Sequence, residues 1–165
     1  MLAFGLLIFG VTMRFVVHPA NFTPVLALVL FGGVYLDKKY AMFFPILLMM
    51  ATDIILGIHS VMLFTWGSLF LISAIGLWLR NKKSAKNVVV SSAASAFAFF
   101  VITNFGVWLS GYYPLTLKGL ATCFTLAIPF FRMTLLSTVG YSIVFFGVYE
   151  FLVKRIKQTC FAYVL

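Results

Sequence analysis

The chain has very few acidic side chains. Only three Asp or Glu residues occur among 165, against twelve Lys or Arg, and charged residues make up 9% of the sequence. An ordinary soluble domain carries about 25% charged residues, so a soluble globular protein is excluded. Because 64% of the residues are hydrophobic and no repeat or low-complexity tract divides the chain, the sequence predicts one transmembrane domain over residues 1–165.

Cysteines and catalytic motifs are equally scarce. Cys123 and Cys160 lie far apart and on opposite predicted sides of a membrane, so neither a disulfide nor a CxxC metal site is predicted. The chain has no HExxH, GxSxG or phosphate-binding loop. A haem held by His18 and His59 is disfavoured because both lie at predicted helix ends. We therefore predict no enzymatic activity, no cofactor and no metal.

Long apolar segments alternate with short polar links. Spanning a bilayer takes about 20 apolar residues, and shielded helices need fewer. We predict an all-α integral membrane protein, a bundle of six transmembrane helices at residues 2–17, 22–36, 40–58, 60–79, 88–109 and 135–153. Residues 111–133 contain Pro114 and Pro129 among apolar residues. They are predicted to form an interfacial or re-entrant segment between helices five and six.

Basic residues set the predicted orientation. Nine of the twelve Lys and Arg residues fall into three clusters, at residues 38–39, 80–86 and 154–157. Basic loops are retained in the cytoplasm, so a cytoplasmic N-terminus and C-terminus place all three clusters inside. The net charge of +9 sits at helix ends, where it meets water and anionic lipid. Nucleic acid is therefore excluded as a partner.

Polar side chains gather in the predicted outer half of the membrane. A charge near the bilayer centre costs about 2.5 to 3.5 kcal/mol, so such residues need partners or a purpose. Three structural explanations are available for them: an ion pair of Asp53 with Arg14 or Arg132, an aromatic belt, and cations that reach toward water. A pocket with apolar walls and convergent polar groups explains them together. Favouring the pocket, we predict substrate binding by Arg14, His18, Asn21, Asp53, His59, Trp66, Asn104, Trp108, Tyr112, Lys118 and Arg132.

Several stretches carry a resemblance to a known family: residues 14–24 (RFVVHPANFTP), 27–33 (ALVLFGG), 44–53 (FPILLMMATD) with Gly57, 104–106 (NFG) and 127–132 (AIPFFR). With six spans and a short second span, the chain resembles the substrate-binding S-components of energy-coupling-factor (ECF) vitamin transporters. It is also similar to a family of small bacterial membrane proteins, without known function, that are distant relatives of S-components. The resemblance covers nearly the whole chain.

The resemblance implies a multi-pass protein of the bacterial inner membrane. It would bind a vitamin-like micronutrient at its outer face and work with a transmembrane coupling subunit driven by two cytoplasmic ATPases. Two features depart from the family: Ala3 is followed by Leu7 instead of a second Ala, and Leu2 replaces the His of nickel and cobalt relatives. Docking to the coupling subunit therefore lacks its usual motif, and a metal substrate is disfavoured.

Other functions remain open. The excess of Arg14, Lys118 and Arg132 over Asp53 hints at a ligand with a carboxylate or phosphate. The alternative function is a non-catalytic accessory subunit of a larger respiratory or photosynthetic membrane complex, whose apolar surfaces would contact protein. A third option is a scaffold for a lipid or pigment in the outer leaflet.

Overall fold

The computed structural model describes residues 2–15, 21–57 and 60–157, and within these ranges it is helical with no strand. The all-α class is therefore confirmed. The helices are α1 (Leu2–Thr12), α2 (Val25–Tyr35), α3 (Lys38–Ala41), α4 (Phe44–Leu56), α5 (Met62–Arg80), α6 (Ala85–Val107) and α7 (Leu117–Lys157). A 3-10 turn, Met13–Phe15, follows α1, and a wider π-type turn, Trp108–Tyr112, follows α6.

Three of these helices are long and apolar enough to cross a membrane, namely α5, α6 with its π turn, and α7. Membrane association is therefore indicated. Helices α1 and α2 have 11 residues and α4 has 13, which gives lengths of about 16 to 20 Å. These lengths are below the roughly 30 Å of a bilayer core. The predicted third helix, 40–58, is divided into α3 and α4, with Pro45 in the first turn of α4, where a missing N–H costs little.

Helix α2 lies in the middle of the bundle. Every residue from Val25 to Val34 is buried, as expected for a helix that is apolar all round. Its backbone touches α5, since a Cβ added to Gly33 would lie 2.8 Å from the Cα of Gly76. On its other side the ring of Phe31 packs edge-on against Phe146 of α7, with centroids 5.6 Å apart. Helix α2 therefore joins the α5 side of the bundle to the α7 side.

Helix α7 differs from its prediction. Residues 111–133 are not separate from the sixth predicted helix, because Gly111 (φ 81°) lies in the turn after α6 and α7 runs without a break from Leu117 through Pro129. Pro is tolerated inside membrane helices because neighbouring helices and side chains satisfy the freed backbone groups. The 41 residues of α7 give a length of about 61 Å, roughly twice the hydrocarbon core.

One end of the bundle, which we call the basic end, gathers the C-terminal ends of α2, α5 and α7. Arg80 at the end of α5 donates a hydrogen bond of 2.9 Å to the carbonyl oxygen of Gly33 and a second to that of Leu36. Carbonyls in the last turn of a helix lack intrahelical partners, so Arg80 caps α2. Nearby, Lys83 contacts Glu150 of α7 at 3.2 Å.

The other end, which we call the aspartate end, gathers the end of α4, the start of α5 and the turn between α6 and α7. The indole nitrogen of Trp66 donates to the Oδ2 of Asp53 at 2.9 Å. The hydroxyls of Ser60 and Tyr112 lie 3.2 Å apart. Successive helices from α2 to α7, apart from the one-turn α3, thus run alternately between the two ends.

Candidate functional site

A small cavity lies between α6 and α7 toward the aspartate end, and we call it the amide cavity. Its volume is about 160 Å³. It is lined by Asn21, Phe99, Phe100, Thr103, Asn104, Ala127, Phe130, Phe131 and Thr134. Two predicted site residues, Asn21 and Asn104, therefore share one cavity although they lie far apart in sequence. None of these described lining residues is charged.

Asn21 enters this cavity from the segment before α2. Its backbone is in the left-handed region, with φ 61°, a conformation that Asn adopts more readily than other non-glycine residues. Its carbonyl oxygen accepts a hydrogen bond of 3.4 Å from the hydroxyl of Ser137 on α7. The position of Asn21 is therefore tied to α7 as well as to α2.

Asn104 is held against its own helix. Its Nδ2 donates to the carbonyl oxygen of Phe100 at 2.8 Å, which uses one of the two amide N–H groups. The backbone carbonyl oxygen of Asn104 accepts from the thiol of Cys123 at 3.4 Å. Around the amide, the ring of Phe100 lies 4.8 Å from Phe131 and 5.5 Å from Phe124, measured between centroids. The side-chain amide of Asn104 is thus bonded to its own helix, in a cavity with aromatic walls.

Asp53 and Trp66 form a second predicted pair. Asp53 is only 7% exposed, and its hydrogen bond from Trp66 joins α4 to α5. A buried carboxylate is costly without hydrogen bonds, so this contact stabilises the junction of the two helices. Neither residue lines the amide cavity. The structure therefore divides the predicted cluster into separate groups.

The remaining predicted residues lie elsewhere. Trp108 donates to the carbonyl oxygen of Pro114 at 3.0 Å and closes the turn between α6 and α7, where Tyr112 contacts Ser60. Lys118 and Arg132 are exposed on α7 and do not line the cavity. His18, His59 and the side chain of Arg14 lie outside the described residues. The cations predicted to favour an anionic ligand are thus absent from the described lining.

A larger cavity lies at the basic end, and we call it the basic-end cavity. Its volume is about 640 Å³. The hydroxyl of Tyr35 donates to Glu150 at 2.6 Å, and Lys83 reaches the same carboxylate oxygen at 3.2 Å. The cavity is lined by Tyr35, Lys83, Ser84, Ala85, Val88, Val89, Ile143, Phe146, Gly147 and Glu150.

Both cavities are lined in part by residues that were not predicted from the sequence as site residues. Lys83 belongs to the basic cluster at residues 80–86, and no binding role is predicted for Glu150, although it is the single acidic residue of α7. The aromatic walls also have a signal in the sequence, because Phe99-Phe100 lies on the predicted fifth helix and a second adjacent pair, Phe130-Phe131, lies on the segment that follows it. Within the described ranges, no group of three or more His, Cys, Asp or Glu residues is placed to hold a metal ion.

A protein-family model matches residues 1–159 of the chain, and its description is a family of unknown function, DUF6580. The chain belongs to this family. No curated protein and no solved structure matches the chain. Because the description of DUF6580 states no activity, a function for this DUF6580 member has to be inferred from its cavities and their chemistry.

Proposed function

We propose that the protein is the membrane-embedded substrate-binding subunit of a micronutrient uptake transporter, and that it holds a vitamin-like molecule by a planar ring in the amide cavity. The observation that carries the proposal is the convergence of Asn21 and Asn104 on one cavity with phenylalanine walls. No chemistry on the substrate is proposed. The role assigned to the protein is selective binding.

The size and chemistry of the amide cavity support a ring-shaped ligand. Its volume of about 160 Å³ is close to that of an engineered cavity of about 150 Å³ that binds benzene. Phenylalanine faces and edges favour stacking with another ring, and carboxamides offer both donors and acceptors. Because the described residues of the lining carry no charge, we expect the part of the ligand that they enclose to be an uncharged heterocycle.

The proposed orientation places this cavity in the outer half of the membrane. Helices α1, α2, α4, α5, α6 and α7 are the six proposed crossings, and the three short ones would be shielded by their neighbours. Since the basic end carries Lys38, Lys39 and the lysines at residues 82–86, we place it in the cytoplasm. The aspartate end then faces outward in the bacterial inner membrane, and a substrate arriving from outside reaches the amide cavity first.

The proposed coupling subunit needs a surface on the outside of the bundle. Ala3 and Leu7 are both buried in the core, so the position of the usual S-component motif offers no docking surface here. The opposite face of α1 carries Gly5, with open space around it, and the exposed Ile8 and Phe9. We place the contact with a coupling subunit on that face.

Native mass spectrometry of the protein, gently solubilised from its own membranes, tests the binding function. We expect the wild-type protein to retain one small ring-containing molecule and Asn104→Ala to lose most of it. Thr125→Ala is the matched control, because Thr125 is exposed on α7 and its hydroxyl donates to the carbonyl oxygen of Ala121 in the same helix. Thermal unfolding of each variant separates lost binding from lost folding.

Two results would overturn the proposal. If Asn104→Ala retains the molecule as well as the wild-type protein does, the amide cavity is not the binding site. If the wild-type protein carries no small molecule and is recovered only as a stoichiometric member of a large assembly, the accessory-subunit function replaces the transporter function.

A further inference from the structure

We propose that the basic-end cavity binds an anionic phospholipid, with an acyl chain lying between α6 and α7 and the phosphate held by the lysines at its mouth. This site is separate from the amide cavity and does not depend on the proposed transport function. It has a different size, a different lining and a different charge.

The walls of the cavity suit an acyl chain. Val88, Val89, Ile143 and Phe146 form apolar sides, and Val89 and Ile143 are exposed at 40% and 54%. Apart from the neighbouring backbone of α7 itself, no described atom lies within 4 Å of a Cβ added to Gly147, so the cavity has open space at this position for a lipid tail. Its volume of about 640 Å³ falls within the range of roughly 300 to 1,000 Å³ that is typical of ligand sites.

The mouth of the cavity carries excess positive charge. Lys83 lines the cavity, and Lys82 and Lys86 are exposed beside it in sequence. Glu150 is the single carboxylate of the lining. The N-terminus of α6, with its free backbone N–H groups, also lies here, and its Ser84 cap accepts a hydrogen bond of 3.1 Å from the backbone N–H of Asn87. Basic pockets between membrane helices attract anionic head groups, and helix N-termini favour phosphate.

Glu150 does not prevent Lys83 from binding a phosphate. The carboxylate has a second partner, because the Tyr35 hydroxyl donates to it at 2.6 Å. The Lys83–Glu150 ion pair is also well exposed, with side-chain exposures of 42% and 46%, and exposed ion pairs contribute little stability. Lys83 can therefore turn toward a head group while Tyr35 keeps Glu150 hydrogen-bonded.

Two glycines of α7 provide a matched test. Gly147 and Gly140 are both exposed with open space at the Cβ position, and their spacing of two helical turns puts them on the same side of α7. Gly147→Leu fills the basic-end cavity, whereas Gly140→Leu adds the same side chain outside it. The full-length protein is titrated with phosphatidylglycerol or phosphatidylcholine in detergent, and native mass spectrometry counts the lipids that stay bound.

We expect wild-type and Gly140→Leu protein to retain phosphatidylglycerol in preference to phosphatidylcholine, and Gly147→Leu to lose that preference. Equal retention by Gly147→Leu and Gly140→Leu would overturn the proposal. If thermal unfolding shows that Gly147→Leu does not fold, variants of the lysines are tested instead. In that case Lys83→Gln combined with Lys86→Gln is compared with Lys39→Gln, a basic-end lysine outside the lining.

The lysine variants also distinguish a lipid from a free anion. Each lysine contact should be worth about fivefold in phosphatidylglycerol retention, so the double variant should lose more than tenfold, while Lys39→Gln should change little. Equal losses of phosphatidylglycerol retention in the double variant and in Lys39→Gln would mean that retention depends only on diffuse surface charge. That result would overturn the proposal. Displacement of the lipid by millimolar inorganic phosphate would also overturn it, because a site built for the acyl chain should not yield to phosphate alone.

Discussion

The interface between α2 and α5 differs in its packing from the interface between α6 and α7. In the first, a Cβ added to Gly76 would lie 2.6 Å from the carbonyl oxygen of Leu30, so the two backbones touch. In the second, aromatic side chains such as Phe100 and Phe131 pack between the helices, and both cavities lie along the contact.

This difference separates a structural part of the molecule from a binding part. Close backbone approach between small residues gives a rigid pair in a membrane, and Arg80 strengthens it by capping α2 with two hydrogen bonds. The α6–α7 pair has spare volume and can therefore accept a ligand without moving the centre of the bundle. Substitutions at the two interfaces should consequently have unlike effects.

The largest effect should come from adding one methyl group at the α2–α5 interface. Gly76→Ala places a Cβ in collision with backbone atoms, and overpacking of this kind costs about 3 kcal/mol or more when the backbone has to move. Gly140→Ala has open space and should be neutral or stabilising by up to about 1 kcal/mol. Thermal unfolding in detergent measures both. Equal stability of the two variants would mean that α2 and α5 are not in close contact.

An intermediate effect should come from removing the cap of α2. Arg80→Gln loses the guanidinium that serves the carbonyls of Gly33 and Leu36, and a buried carbonyl left without a partner costs about 1 to 3 kcal/mol. Lys82→Gln is the control, because Lys82 is exposed and its ammonium lies over the face of Trp78, a contact worth about 0.5 to 1 kcal/mol. Thermal unfolding should show a clearly lower midpoint for Arg80→Gln. If Lys82→Gln is equally damaging, the cap contributes nothing specific.

The smallest effect should come from buried hydroxyls of α6. Ser95 is fully buried and its hydroxyl has no hydrogen-bond partner among the described residues, so Ser95→Ala should change stability by less than about 0.5 kcal/mol or increase it. Ser92→Ala should cost about 1 kcal/mol, because that hydroxyl donates to the carbonyl oxygen of Val88 at 2.7 Å. A larger loss for Ser95→Ala than for Ser92→Ala would point to a partner that Ser95 finds in the membrane.

The sequence was sufficient to predict the helical class, the apolar character of α2 and the proximity of Asn21 and Asn104, which line one cavity; that this cavity binds a substrate stays a prediction. Sequence reasoning missed the continuity of α7, because Pro129 reads as an interruption whenever the packing around it is unknown. It also treated Arg80 as one charge of a cytoplasmic cluster, since nothing local shows that its guanidinium reaches α2. The aromatic walls depend on the register between α6 and α7, which no single segment encodes.

The central claim is that a ligand occupies the amide cavity, and a cavity-filling substitution tests it most directly. Ala127 lines the cavity, so Ala127→Leu should fill it, whereas Ala121→Leu adds the same side chain at an exposed position of α7. Native mass spectrometry of both variants from their own membranes should show the small molecule retained by Ala121→Leu and absent from Ala127→Leu, with both proteins folded. Retention of the molecule by folded Ala127→Leu would contradict the account.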